Sequence, residues 1–207
     1  MDPEALASAL AQARIGATFN QYAEGARAPL LRRRLADYLD ARREARWLLV
    51  GEAPGYRGAR VSGIPFTSER QLTGEGPAEA TATIVHRVLR ELGLEAEVLL
   101  WNVVPTHPGT VASNRPPTGA EVRQGAAFVP LVAEGRRVVG VGAVAAGALG
   151  VPALRHPSHG GAAAFRAGLI AVVARAAGAT AESSDAVAHE SDGTAASTTT
   201  RGVRLGL

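Results

Sequence analysis

The stretch that most restricts this chain is Trp47-Leu48-Leu49-Val50, an apolar run that stops abruptly at Gly51-Glu52-Ala53-Pro54-Gly55. Four consecutive large apolar residues offer no polar face, so a strand built from them must be covered on both sides, as strands of parallel sheets are. A carboxylate just past the C-terminal end of such a strand lies where open α/β sheets place their ligand crevices. Glu52 is therefore a candidate for chemistry. Gly51 and Gly55 let the backbone approach a ligand with no Cβ in the way, and Pro54 stiffens the turn between them. A Gly- and Arg-rich segment then leads to Ile64-Pro65-Phe66. A loop Phe is often plain packing, but beside a strand-end carboxylate the Phe66 ring can also cover a flat ligand.

The same logic repeats downstream. Val98 to Val104 (VLLWNVV) is a second apolar run with one polar residue, Asn102, near its end. A buried amide must find partners, so Asn102 is tied to neighbouring backbone or aimed at a ligand. Its one acceptor and two donors match the edge of a pyrimidine. Arg136 to Val141 is a third strand, running into Gly140-Val141-Gly142-Ala143-Val144-Ala145-Ala146-Gly147. That glycine spacing is not G-x-G-x-x-G, and no Asp or Glu occurs between Glu134 and Glu182 to hold a ribose diol, so it reads as close strand-to-helix packing rather than a dinucleotide site.

Helices are expected between these strands. Pro3 to Arg14 follows a possible N-cap at Asp2, and Ala28 to Arg46 carries Leu31, Leu35 and Leu39 at helical spacing. Pro77 to Leu92 is stopped by Gly93, Thr118 to Glu134 opens with a capping box, and Ala162 to Ala176 closes the ordered part. Pro105 to Pro117 is a long irregular loop, and Pro157 with Gly160 and Gly161 marks His156 to Gly161 as another. Alternating strands and helices predict an α/β fold: three layers, α/β/α, around a mostly parallel sheet. Three strand ends on one rim gather Glu52, Asn102 and His156 around a single crevice, with Phe66 as a lid.

Composition bounds what that crevice can hold. There is no cysteine, which removes disulfides, thiolate zinc sites and cysteine-held iron–sulfur clusters. No stretch has the features of a signal peptide or the length of a membrane span, so a soluble, cytoplasmic protein is the expectation. The formal charge is +3, and all 22 basic residues are arginine. Residues from Gly178 onward carry a net −2, which leaves +5 on residues 1–177. A modestly basic body suits a polyanion such as nucleic acid, and a GC-rich genome that favours Arg codons accounts for it equally well. The length predicts one domain over 1–177, and residues 178–207, with hardly an apolar side chain, are expected to be a flexible tail.

With these residues in view, the chain resembles the uracil-DNA glycosylase superfamily. The resemblance lies in GEAPG at 51–55, GIPF at 63–66, Asn102 in LLWNVVP, NRPPT at 114–118 and HPS at 156–158, in order, over about residues 19 to 175. It implies a four-stranded parallel sheet between helices and excision of uracil from DNA. Gly51, Ala53, Pro54, Gly55 and Tyr56 would line the base pocket, with Glu52 holding the catalytic water. Phe66 would stack on the base, Asn102 would read its edge, and His156 would bind the pyrimidine O2. Arg115, Pro157, Ser158, His159 and Gly160 are the expected DNA contacts, Ser158 at a phosphate.

Three departures accompany the resemblance. GEAPG is most similar to the thermostable iron–sulfur branch, whose cluster needs four cysteines that this chain lacks, so no cofactor is expected. His159-Gly160-Gly161 stands where many members place a bulky wedge. Gly55 stands where other members carry an aromatic that excludes thymine, which shifts that duty to Tyr56 or the neighbouring loop.

The chemistry follows from the residues too. Breaking a glycosidic bond to a pyrimidine leaves positive charge on the sugar and negative charge on the base. His156 and backbone N–H groups of the 51–55 turn suit the second, and Glu52 suits the first. Without lysine, only the terminal amine can form a Schiff base, so a monofunctional enzyme is expected; its expected partner is uracil-containing DNA, and separately a monomer is expected. A non-catalytic lesion-binding protein, a glycosylase for deaminated purines, and a nucleotide-binding enzyme of doubly wound fold are the alternatives.

Overall fold

The structure is a computed structural model that describes residues 1–191, with the backbone alone beyond residue 178. Two compact units are distinguished, Met1–Gly168 and Leu169 onward. The first unit opens with helix α1 (Pro3–Gln12), where the Asp2 side chain accepts from the N–H groups of Glu4 and Ala5 and Pro3 occupies the first turn. It ends two residues before the expected Arg14, because the Asn20 amide takes the carbonyls of Leu10 and Ala13. Helix α2 (Ala28–Ala41) also stops short of Arg46. There the guanidinium of Arg136 donates to the freed carbonyls of Arg42 and Arg43.

Strand β1 (Trp47–Gly51) leads into two helices too short to show a period, α3 (Ala59–Ser62) and α4 (Glu69–Thr73), each closed by a left-handed glycine, Gly63 and Gly74. Helix α5 (Ala80–Glu91) ends at Gly93 in the left-handed region, with Leu94 N–H reaching back to Leu89. Strand β2 is Val98–Asn102. The helix expected over 118–134 is two: α6 (Gly119–Ala126), opened by the Thr118/Glu121 capping box, and α7 (Val129–Ala133). Pro130 separates them, since within one continuous helix its ring would meet the Ala126 carbonyl. Then follow β3 (Arg137–Val141), α8 (Ala143–Leu149), β4 (Ala153–Leu154) and α9 (Ala162–Ser191).

All four strands are parallel, in the order β2-β1-β3-β4. β1 and β2 are buried at every position, so both faces of the central sheet are covered, as the two apolar runs required. Leu48, Val50, Leu99 and Trp101 share one core with Leu6 and Leu10 of α1 and Leu31, Leu35 and Leu39 of α2. Leu100 at the edge donates its N–H to the Tyr38 hydroxyl, whose pKa burial pushes up to about 12. Within 140–147, Gly140 is a packing glycine: a Cβ there would lie 2.5 Å from the Cα of Ala146, whereas one on Gly147 would meet nothing within 4 Å. Residue-level reading found three strands. The fourth is two residues long, in what reads as a link.

The second unit, where described, continues α9 to Ser191. Helix thus extends past the expected end at Ala176 and through the first part of the expected tail. The rest of that tail, 192–207, lies outside the described residues.

Candidate active site

Parallel strands bring their C-terminal ends to one rim, and pairing sets the spacing: Gly51 of β1 stands opposite Asn102 of β2. The next residue after Gly51 is Glu52. From β4 the chain passes through Arg155 to His156, whose side chain lies beside Gly142 at the end of β3. Glu52, Asn102 and His156 line one cavity of about 430 Å³, with Phe66 on its wall.

Phe66 is held there against its backbone preference. Its φ is 53°, in the left-handed region that a bulky residue avoids. Such a conformation costs roughly 1–3 kcal/mol and persists where surrounding contacts over-determine it. Those contacts are visible on both sides. The Thr67 hydroxyl lies within hydrogen-bond distance of Pro65 O (3.1 Å) and His86 Nε2 (3.0 Å), while the Ser62 hydroxyl donates to Thr67 O at 2.6 Å. The ring edge lies over Gly51, where a Cβ would be 2.2 Å from Phe66 Cζ and 3.1 Å from Asn102 Oδ1. Gly51 thus does not line the cavity itself but makes room for the two groups that do.

His156 has a defined tautomer. Ser158 N–H donates to its Nδ1 at 3.2 Å, so Nδ1 is the acceptor and the neutral ring carries its proton on Nε2. Burial, then the charges of Arg155 and His159, hold its pKa below the ordinary histidine value, which keeps the ring neutral. The Ser158 hydroxyl sits between His156 Nδ1 (2.7 Å) and His159 Nδ1 (2.9 Å). Glu52 is half-buried, and loss of water raises its carboxyl above the usual range. Asn102 is 4% exposed.

Of the remaining expected site residues, Ala53, Pro54, Gly55, Arg115, Ser158 and His159 line the cavity, while Tyr56, Pro157 and Gly160 do not. Tyr56 instead carries Arg57 over its ring, 5.3 Å from the centroid. Arg115 is committed elsewhere: its guanidinium forks onto Glu121 at 2.6 and 2.7 Å, and holds that carboxyl down to about 2. Sequence reasoning missed Glu79 and Asn114. Glu79 lines the cavity, and its carboxylate occupies the space over two glycines: a Cβ on Gly55 or Gly58 would come within 2.2 Å of it. Desolvation raises this carboxyl as well. The only trace in the sequence is that residues 55 and 58 lack side chains. Among the described residues, no cluster of three or more His, Cys, Asp or Glu could hold a metal ion.

This fold and rim define an α/β protein with an acid, an amide and an imidazole at three strand ends. Residues 37–175 match the family described as the uracil DNA glycosylase superfamily, and the chain belongs to it. A DNA glycosylase function is what that membership supports. Among solved structures, the wild-type SMUG2 of Pedobacter heparinus is similar at a TM-score of 0.61 and 13% identity, over 86% of this chain and 99% of that one. That likeness bears out the four-stranded α/β fold. The wild-type UNG of Nitratifractor salsuginis aligns at a TM-score of 0.35 and 19% identity, over 68% of this chain and 78% of that one. No curated protein matches.

Proposed function

We propose that this protein is a monofunctional uracil-DNA glycosylase that extrudes deoxyuridine from DNA, hydrolyses its N-glycosidic bond and leaves an abasic site, the first step of base excision repair. The observation that carries the reading is the meeting of Glu52, Asn102 and His156 in one cavity beside the Phe66 ring. A base inside a duplex cannot reach such a cavity, so it must be flipped out and stacked, here on Phe66. Asn102 pairs with the pyrimidine edge. His156 donates a hydrogen bond from its Nε2–H to O2 as negative charge grows there, a contribution of about 3 kcal/mol when one such donor is removed. Glu52, its carboxylate poorly hydrated, directs water to the sugar and offsets the cationic character that develops at C1′.

No lysine is present to form a Schiff base, which supports base release without strand cleavage. The enzyme acts without a cofactor, as a monomer on uracil-containing DNA, in the cytoplasm where nucleoid DNA lies. A panel of oligonucleotides bearing uracil, hypoxanthine, xanthine or mispaired thymine, single- and double-stranded, tests this. Free uracil with breakage only after alkali is the expected result, and no base release from any uracil substrate overturns it.

A further inference from the structure

The long loop after β2 is more than a connection between elements. It runs alongside the motif turn and is bonded to it at four places. Val103 N–H donates to Gly51 O (2.8 Å) and Val104 N–H to Glu52 O (3.0 Å). His107 Nδ1 meets Pro54 O at 2.8 Å, and Tyr56 N–H donates to Asn114 Oδ1 at 2.8 Å. The first two continue the sheet, and Asn114 is exposed. His107 is different: its side chain is fully buried and does not line the cavity.

Both nitrogens of the His107 ring face main-chain carbonyls, Pro54 O on one side and Thr110 O at 2.9 Å on the other. Carbonyl oxygens only accept, so a ring nitrogen that carries a proton donates to the carbonyl it faces, and the ring bridges the turn and the far side of its own loop. The backbone of His107 is pinned as well, by reciprocal N–H to O bonds with Phe19. Gly109 leaves the ring its space, for a Cβ there would lie 2.7 Å from Nε2. The imidazole is thus a fixed strut ending on the carbonyl two residues after Glu52.

We infer that His107 is a positioning residue for the reaction: it holds the 52–56 turn so that Glu52 and the turn's N–H groups keep their alignment. The inference rests on the proposed glycosylase reading and concerns a side chain that touches no substrate. A displacement of about 1 Å at a reacting group can slow a reaction on the order of 10²-fold, and an untethered turn at this spot moves Glu52 directly.

The test uses His107→Phe, which keeps ring volume without donors, and His107→Gln, which keeps one donor for Pro54 O. In single-turnover uracil release, the Phe variant should lose on the order of 10²-fold in rate with its affinity for uracil DNA little changed, and the Gln variant should recover much of that loss. In a Glu52→Gln background the Phe substitution should cost little more, because the group it aligns is gone. Wild-type rates in the Phe variant, an equal loss in the Glu52→Gln background, or a Gln variant no better than Phe overturns the inference. If the Phe variant melts below assay temperature, the Gln variant carries the same comparison. Amide exchange at residues 53–56, faster in either variant, reads the tether without any turnover. Unchanged exchange overturns it, whereas absence of base release by the wild type counts against the functional reading instead.

Discussion

Gly51→Ala adds one methyl group to the end of β1, and the geometry fixes what that methyl must do. It would lie 2.2 Å from Phe66 Cζ, 2.7 Å from Phe66 Cε2 and 3.1 Å from Asn102 Oδ1. Non-bonded carbons settle about 3.5–4.0 Å apart, so the ring edge must retreat by more than 1 Å. Gly51 is not in the left-handed region, so the perturbation is steric and not a forced dihedral. Phe66 has little freedom to yield, with φ already at 53° and only 8% of its surface exposed. Overpacking of this kind costs about 1–3 kcal/mol of stability, and a stacking ring misplaced by ~1 Å costs on the order of 10²-fold in rate. Single-turnover release of uracil, paired with a thermal melt, measures both. The same methyl should be nearly silent in a Phe66→Ala background, where the space is already open. A folded Gly51→Ala protein with wild-type kinetics refutes the claim that this glycine exists to admit the ring.

Glu52→Gln should slow base release by about 10²-fold or more and raise the melting temperature. Burial raises the carboxyl's folded pKa above its unfolded value near 4.5, so ionisation costs stability as pH rises through that window; the variant's advantage should be absent below it and full at neutral pH. For His156, burial and the neighbouring Arg155 and His159 depress the pKa below the ordinary histidine value, so the ring is neutral at neutral pH and takes up its proton only on the acid side. Protonating Nδ1 then expels the Ser158 N–H. The acid limb of the rate should therefore contain two protons, one from Glu52 and one from His156, and His156→Gln should leave one. Glu79→Ala should empty the space over Gly55 and Gly58, relaxing discrimination so that release of thymine from mispairs rises relative to uracil. Unchanged selectivity would remove Glu79 from the specificity of the pocket.

Much of the fold was legible because its strands are two-sided. WLLV and VLLW admit no amphipathic alternative, and each ends at a single polar group, so the rim and its Glu52 and Asn102 could be read directly. What escaped notice has physical reasons. Helices α3 and α4 are four and five residues long, below the length at which a 3.6-residue period declares itself. Helix α7 was hidden behind an apolar pattern that Pro130 interrupts. Glu79 sits in a polar stretch, GEGPAEA, with the pattern of a solvated segment. Only the glycines it overlies, 21 and 24 residues earlier, reveal where it points. His107 was readable as part of a notable loop, but a strut needs two ends, and neither carbonyl is announced by its residue type.

The two-sidedness that makes the strands easy to find also removes one source of their register. Where a strand has one buried face, a one-residue slip would expose its apolar side chains and is forbidden by burial. β1 and β2 are buried throughout, so a slip between them changes no apolar pattern, yet it would carry Asn102 to the opposite face from the cavity. Alignment must come from the ends. At the entry, Trp47 N–H donates to Glu97 O, and at the exit Val103 and Val104 donate to Gly51 and Glu52. The exit bonds sit at the pocket: Glu52 accepts one of them, and Val103, which donates the other, directly follows Asn102. The hydrogen bonds that align the acid with the amide are thus also those that fix the sheet, so loosening the 103–107 segment should cost catalytic geometry before it costs the fold.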